Sequence, residues 1–191
     1  MALTFDGGSG AQGAAAILST LRAAGVPATF FLTGDFVRTH PGTAAAIAGG
    51  HYLIGNHTMT HPHLTRLTSA AIKDQITRAE QQLKPVVGHS PRPWFRFPFG
   101  EYDARTLQIV HAMGYGAIGW TVDSRGWQGR AAGTAADVVT RVRAALQPGA
   151  IVLMHLGANP DDGTTFDADA LPRIIAAVRA AGYSFVALNG W

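Results

Sequence analysis

Short apolar runs alternate with helical patterns along the whole chain, and this alternation limits the folds that the chain can adopt. Seven apolar runs predict strands, at residues 2–5, 28–33, 52–56, 94–98, 116–122, 150–154 and 184–188. The helical patterns between them cover residues 11–24, 42–48, 69–84, 103–113, 134–146 and 168–181. Strands that alternate with helices predict βαβ units and a parallel sheet, because parallel strands need crossover connections.

Polar residues at the ends of the predicted strands favour a closed arrangement over an open sheet. Asp6, His57, Arg96, Asp123 and His155 each lie at or just past the C-terminal end of a different strand. The C-terminal ends share one face of a (β/α) barrel, so a barrel brings five such residues together more easily. We therefore predict an α/β fold, an incomplete or distorted (β/α)7 barrel with its active site at the C-terminal ends of the strands. An open dinucleotide-binding sheet fits poorly, because residues 6–13 lack a G-x-G-x-x-G motif.

The composition narrows the possible functions. A length of 191 residues without an internal linker predicts a single domain, residues 1–191. The sequence has no cysteine, which excludes disulfides, thiolate nucleophiles and cysteine-bound zinc. No apolar run reaches the roughly 18–20 residues of a membrane span. The net charge of +3 comes from scattered arginines, so we expect no nucleic-acid partner, whereas an anionic polymer such as a cell wall suits the surface.

The segment GNHTMTHPH, residues 55–63, contains three histidines in seven positions. His57 and His61 are four residues apart, within reach of one metal ion if the turn is compact. Neutral imidazole is a common ligand of zinc and related ions. A polar surface turn is the alternative interpretation of these residues.

Three other residues are candidates for acid–base chemistry. Asp6 precedes a glycine-rich turn, where it is a metal ligand, a general base or a helix N-cap. Arg96 lies in an apolar run and needs a partner, either as a structural ion pair or to hold Asp6 ionised. His155 directly follows an apolar strand, and it is a candidate general acid only in the company of the others.

Five motifs in the same order resemble those of the polysaccharide deacetylases of carbohydrate esterase family 4, the NodB-homology domain. They are TFDGG at residues 4–8, HTMTH at 57–61, RFPFG at 96–100, DSRGW at 123–127 and LMH at 153–155. The resemblance covers nearly the whole chain. It implies that His57 and His61 hold a divalent metal ion, zinc first, with cobalt, nickel or manganese as alternatives. It also implies that Asp6 is the general base, oriented by Arg96, and that His155 is the general acid.

The resemblance assigns the surroundings of the reacting group as well. It implies that the Phe99 backbone N–H stabilises the oxyanion, and that Trp127 and Leu153 form the pocket for the acetyl methyl group. His63 has no place in the second motif. The implied fold is the same distorted barrel, and the implied activity is the hydrolysis of acetamido groups on a polysaccharide.

Two positions depart from the family pattern. Gly7 stands where the family carries a metal-binding aspartate, so Asp6 or Asp35 is expected to supply the missing ligand unless water does. Asp35 is equally expected to be a helix N-cap. Gly126 stands where the family carries the aspartate that pairs with the catalytic histidine, and Asp123 is the expected substitute.

The substrate implied by the resemblance is a polymer that contains GlcNAc or MurNAc, with peptidoglycan ahead of chitin. Removal of O-acetyl groups from xylan is the enzymatic alternative, and a carbohydrate-binding pseudoenzyme with a decayed metal site is the alternative of another class. We expect a monomer that is secreted or lies in the cell envelope, with its leader absent from this sequence.

Overall fold

A computed structural model describes residues 1–8 and 10–190 of the chain. The strands are β1 (Ala2–Gly7), β2 (Thr29–Leu32), β3 (Leu53–Asn56), β4 (Trp94–Phe95), β5 (Gly116–Ala117), β6 (Val122–Asp123) and β7 (Ile151–His155). The α-helices are α1 (Ala14–Ala24), α2 (Gly34–Thr39), α3 (Pro41–Gly49), α4 (Ser69–Val87), α5 (Ala104–Ala112), α6 (Ala135–Ala144) and α7 (Phe166–Ala180). Short 3-10 helices cover Leu64–Arg66, Pro98–Gly100, Gly126–Ala132 and Leu188–Gly190.

The seven strands form one parallel sheet in the order β5-β4-β3-β2-β1-β7-β6. The edge strands β5 and β6 are neighbours in the chain, because Ala117 and Val122 are five residues apart. Five residues span at most roughly 18 Å, so the two edges of the sheet must approach each other. The sheet therefore curls into the predicted distorted (β/α)7 barrel, and the prediction of the fold is confirmed.

The predicted strand at 116–122 is wrong in detail, because it divides into β5 and β6 on opposite edges. The carbonyl groups of Ile118 and Gly119 accept hydrogen bonds from Arg96 rather than from a neighbouring strand. The predicted strand at 184–188 is wrong as well. Irregular backbone at 184–187 is tied to the start of the chain instead, since Val186 N donates to the carbonyl of Met1 at 3.0 Å.

The core lies between the sheet and the surrounding helices. The strand β1 is buried along its whole length, between β2 and β7. Helix α7 covers this side with the apolar face that the sequence predicts, formed by Leu171, Ile174, Ile175 and Val178. Gly25 (φ 60°) and Gly182 (φ 81°) follow α1 and α7 in the left-handed conformation that ends a helix. Over residues 1–8 and 10–190, no helix has both the length and the apolar character needed to cross a bilayer.

Candidate active site

A cleft of about 750 Å³ opens at the C-terminal ends of the strands. Its wall includes all of the predicted site residues except Arg96: Asp6, His57, His61, Phe99, Asp123, Trp127, Leu153 and His155. Arg96 is fully buried behind Asp6. The parallel strands bring these residues together because their C-terminal ends all lie at one end of the curled sheet.

Arg96 follows β4 and reaches back across the barrel to β1. Its Nη1 donates to Asp6 Oδ1 at 2.7 Å and to the Thr4 hydroxyl at 2.9 Å. Its remaining guanidinium nitrogens donate to the carbonyls of Ile118 and Gly119. A guanidinium that is wholly buried needs such partners, and here the carboxylate of Asp6 neutralises its charge.

Asp6 is held as a carboxylate at the floor of the cleft. Burial alone would raise the pKa of Asp6, but the Arg96 guanidinium, with smaller contributions from His57 and His155, holds that pKa below its ordinary value. The helix that follows, α1, starts at Ala14 with Gly13 as its N-cap, so the N-cap interpretation of Asp6 is wrong. The carboxylate is therefore available to accept a proton from a group in the cleft.

His57 faces Asp6 with an unprotonated nitrogen. Its Nδ1 lies 2.8 Å from the Arg96 carbonyl oxygen, which can only accept, so Nδ1 carries the proton. Burial lowers the pKa of His57 more than Asp6 raises it, so the ring is neutral. The unprotonated His57 Nε2 lies 3.4 Å from Asp6 Oδ2, so two hydrogen-bond acceptors face each other. A cation between or beside them would relieve this arrangement.

His61 completes an imidazole pair through a strained turn. Thr58 (φ 69°) and His61 (φ 58°) both adopt left-handed backbone, and the Thr58 hydroxyl accepts from His61 N at 3.1 Å. The centres of the His57 and His61 rings are 4.7 Å apart. Burial, then the neighbouring His57, lowers the pKa of His61 to about 4. Backbone strain of this kind persists where other interactions enforce it, often at functional sites.

The donor set suits a divalent cation but is incomplete. Two neutral imidazoles and the nearby Asp6 carboxylate are ligands that zinc and similar ions take. Within the described part of the chain, however, no three His, Cys, Asp or Glu side chains are grouped so that they could hold a metal ion. The His57–His61 pair fits a metal, with further ligands from outside these side chains.

Gly7 and Asp35 do not complete the set. A Cβ atom on Gly7 would lie 2.7 Å from Leu32 Cδ2 and 3.1 Å from Leu156 Cδ1, so a side chain at this position would crowd two apolar neighbours. The N-cap of α2 is Thr33, whose hydroxyl accepts from Phe36 N at 2.9 Å, so the N-cap prediction for Asp35 is wrong. Asp35 lines the cleft and binds Arg38 Nε at 3.2 Å.

Both carboxylate oxygens of Asp123 accept hydrogen bonds from the turn that follows it. Asp123 accepts from Arg125 N at 2.8 Å and from Trp127 Nε1 at 3.1 Å. The carboxylate nearest to His155 belongs instead to Asp167, in the first turn of α7, which the sequence analysis missed. Asp167 Oδ2 lies 3.7 Å from His155 Nδ1 and accepts from His155 N at 2.8 Å. The expectation that Asp123 replaces the aspartate absent at Gly126 is therefore corrected.

The environment of His155 favours its protonated form. Burial would lower the pKa of His155, but the carboxylates of Asp167, Asp6 and Asp123 outweigh it and raise that pKa above its ordinary value. The side chain is 28% exposed, although its Nδ1 atom is buried. His155 and Asp6 thus have pKa values shifted in opposite directions within one cleft.

Aromatic side chains form the upper wall of the cleft. The Trp127 ring lies 6.1 Å from the His155 ring, and Phe99 packs edge-on against His61 at 4.5 Å. Phe99 has left-handed backbone (φ 59°) and is half exposed. Leu153 is buried on β7, below them. Trp120, which the sequence analysis did not single out, also lines the cleft.

Comparison with known proteins agrees with this geometry. The profile of the family described as polysaccharide deacetylase matches residues 1–118. The chain is 32% identical over 188 residues to a peptidoglycan-N-acetylglucosamine deacetylase of Bacillus cereus, covering 98% of this chain and 66% of that protein. It is 28% identical over 190 residues to a chitooligosaccharide deacetylase of Azorhizobium caulinodans, covering 95% of this chain and 89% of that protein. The chain thus spans just under two thirds of the first relative and most of the second.

Solved structures show the same fold. A peptidoglycan N-acetylglucosamine deacetylase superposes with a TM-score of 0.90 at 30% identity, over 99% of this chain and 86% of that one. A mutant of a pseudoenzyme of carbohydrate esterase family 4 from Bacillus anthracis, described as having restored enzymatic activity, superposes with a TM-score of 0.89 at 31% identity, over 99% of this chain and 65% of that one. Since the family profile matches more than half of the chain and these folds superpose over 99% of it, the chain belongs to the polysaccharide deacetylases of carbohydrate esterase family 4.

Proposed function

We propose that the chain is a metal-dependent hydrolase that removes N-acetyl groups from a polysaccharide containing GlcNAc or MurNAc. One observation carries the proposal: Asp6 and His155 line the same cleft, and their pKa values are shifted in opposite directions. A carboxylate kept ionised and an imidazole kept protonated are what general base and general acid catalysis require.

Asp6 acts as the general base. Its carboxylate takes a proton from the water that attacks the acetyl carbonyl carbon. Arg96 holds the carboxylate in place through Oδ1, which leaves Oδ2 to face the cleft near His57. The ion pair keeps Asp6 unprotonated until the water arrives.

His155 acts as the general acid. It donates its proton to the sugar nitrogen as the bond between that nitrogen and the acetyl carbon breaks. The products are acetate and a free amine on the sugar. The proton taken by Asp6 and the proton given by His155 balance over one turnover once the two groups exchange protons with solvent.

His57 and His61 are the residues that would hold the metal ion, with zinc first and cobalt, nickel or manganese as alternatives. A divalent ion bound there supplies a Lewis acid for the acetyl carbonyl. The Arg96 carbonyl fixes His57 in the tautomer that presents Nε2. The Phe99 backbone N–H donates to the developing oxyanion, and Trp127 and Leu153 enclose the acetyl methyl group.

The substrate is a glycan of the cell envelope or its surroundings, with peptidoglycan ahead of chitin. The names of the two relatives support N-acetylated glycans as a class. The mildly basic surface, with a net charge of +3, suits an anionic wall polymer. We propose that the chain acts there as a single-domain monomer, which light scattering in solution checks.

A carbohydrate-binding pseudoenzyme is the second candidate. Gly7 favours it, because glycine has no carboxylate at the position where the family pattern carries a metal-binding aspartate. The family includes a pseudoenzyme of very similar fold. In this alternative the cleft binds the glycan without hydrolysing it.

One assay separates the candidates. Acetate release is measured from peptidoglycan, chito-oligosaccharides and acetylated xylan, after chelation and after separate addition of zinc, cobalt, nickel and manganese. The deacetylase predicts release that depends on the metal and is lost in Asp6→Asn. Faster acetate release from acetylated xylan than from the N-acetylated glycans would identify the chain as an O-deacetylase. A folded protein that binds glycans and releases no acetate under any condition is the pseudoenzyme.

A further inference from the structure

The space beside Gly126 is filled by a carboxylate from another element. A Cβ atom built on Gly126 would lie 2.5 Å from Asp167 Cγ, closer still to Oδ1, and 3.0 Å from the Asp167 backbone nitrogen. The Gly126 backbone lies outside the left-handed region, so nothing in its conformation demands glycine. Gly126 is therefore required for space: any side chain there would displace Asp167.

Asp167 is hydrogen-bonded to the backbone of His155 but not to its side chain. Asp167 is 3% exposed, and its Oδ2 accepts from His155 N while lying 3.7 Å from His155 Nδ1. Across residues 1–8 and 10–190, His155 Nδ1 and Asp167 Oδ1 are the buried side-chain polar atoms that lack a hydrogen-bond partner. Leaving such atoms unpaired is costly, and a proton on Nδ1 directed at Asp167 satisfies both groups after a small ring movement.

The other carboxylates near His155 are already engaged. Asp6 is bound by Arg96, and Asp123 accepts from Arg125 N and Trp127 Nε1. Asp167 also lies in the first turn of α7, where the helix dipole favours a negative charge. Asp167 therefore has an unpaired carboxylate oxygen and lies on the Nδ1 side of the His155 ring.

We propose that Asp167 is the positioning residue of His155, and that a carboxylate on α7 has taken the place that Gly126 leaves empty. Asp167 accepts a hydrogen bond from His155 Nδ1–H and so directs Nε2 into the cleft, where the leaving amine is protonated. Gly126 and Asp167 are therefore a complementary pair, in which the glycine admits the carboxylate. The inference rests on the proposed function, since it gives His155 the role of general acid.

The first test removes the carboxylate and compares it with a matched neighbour. Asp167→Asn is expected to lower kcat at least tenfold with little change in KM, and by no more than the roughly 10²–10⁴ that loss of the general acid itself costs. It is also expected to lower the pKa of His155 measured by NMR on the metal-free protein. Asp169→Asn removes the same charge from the same helical turn but from an exposed side chain, and it should change neither quantity by more than about twofold or 0.3 units. An Asp167→Asn protein indistinguishable from Asp169→Asn overturns the inference.

The second test moves the carboxylate. Gly126→Asp in the parent should lower activity and thermal stability, because its Cβ overlaps Asp167. The same change in an Asp167→Ala background should raise kcat severalfold over Asp167→Ala alone, since the clash with the Asp167 carboxyl group is gone and only the backbone nitrogen, at 3.0 Å, stays close. Equal losses in both backgrounds, with both proteins folded, contradict the pairing of these two positions.

The readouts separate failure of this inference from failure of the proposed function. A parent that releases no acetate with any metal, but whose His155 pKa falls in Asp167→Asn, refutes the deacetylase and retains the pairing. An active parent whose kcat and His155 pKa do not respond to Asp167→Asn retains the deacetylase and refutes the pairing.

Discussion

At the scale of single residues, the chemistry depends on charges that are buried and oriented by one another. The Arg96 guanidinium keeps the Asp6 carboxyl group ionised, and the Arg96 carbonyl holds the proton of His57 on Nδ1. The Asp167 carboxylate lies next to His155 Nδ1. Sequence motifs identified most of these residues because their types and order are distinctive. They could not identify Asp167, whose place in FDADALPRII reads as an ordinary acidic first turn of a helix.

Removing either proton-transfer group should abolish most of the activity. Asp6→Asn keeps the shape of the side chain and loses the proton acceptor, and His155→Ala loses the donor. Each is expected to reduce kcat by roughly 10²–10⁴. Steady-state kinetics with the preferred metal give the result, and thermal melts verify folding. Turnover within a few-fold of the parent would remove the role assigned to that residue.

Arg96 should matter for stability as much as for activity. Arg96→Met leaves the Asp6 carboxylate buried without its partner, and breaking a buried ion pair in this way costs about 3–5 kcal/mol. Arg96→Met combined with Asp6→Asn should cost less than Arg96→Met alone, because the uncompensated charge is gone. Urea unfolding of the parent and the two variants measures the difference. A double variant no more stable than Arg96→Met would show that packing, rather than charge, dominates.

At the scale of elements, the turn after β3 carries the two histidines that we propose as metal ligands. His57 and His61 share a short strained turn, and His63 lies beyond Pro62, where it pairs with Glu101 at 2.8 Å and stacks on Phe99. The four-residue spacing of His57 and His61 predicted that their side chains lie close together. The left-handed angles at Thr58 and His61 could not be predicted, because the surrounding structure enforces them and a β-branched residue such as Thr58 rarely adopts them.

Metal affinity should depend on His57 and His61 but not on His63. His57→Ala and His61→Ala are each expected to weaken zinc binding strongly, since each removes one of two imidazole ligands. His63→Ala should bind zinc as the parent does. Isothermal titration calorimetry on chelated and dialysed protein makes the comparison. Equal losses in all three variants would mean that the histidine-rich segment binds metal as a whole.

The same turn should make the metal-free protein sensitive to acid. Burial, then the neighbouring His57, lowers the pKa of His61 in the folded protein to about 4, from an ordinary value of 6.5. The unfolded chain therefore takes up a proton between these values while the folded chain does not, so the free energy of unfolding falls as the pH falls from 6.5 towards 4. Denaturation with chelator present, at several pH values, measures the slope. His61→Gln should flatten it, and an unchanged slope would assign the sensitivity to other groups.

At the scale of the whole molecule, the curled sheet explains why five sequence motifs form one site. Strand order and polarity place the C-terminal ends of β1, β3, β4, β6 and β7 around one cleft. Alternating apolar and helical patterns were sufficient to predict this architecture. They were insufficient for the edges, because the crossing from β5 to β6 depends on Arg96 drawing two carbonyls inward, which is a tertiary interaction.

Gly7 tests whether this scaffold can accept a complete metal site. Its backbone lies outside the left-handed region, so a side chain is conformationally allowed, but its Cβ would crowd Leu32 and Leu156. Gly7→Asp alone should therefore lower the thermal midpoint, and Gly7→Asp with Leu32→Ala should recover part of that loss by making room. An anionic oxygen ligand favours binding of a borderline cation, so the double variant should bind zinc more tightly than Leu32→Ala alone. Calorimetry and thermal melts on the same preparations give both quantities. A folded double variant with unchanged affinity would mean that the carboxylate introduced at position 7 does not reach the ion held by His57 and His61.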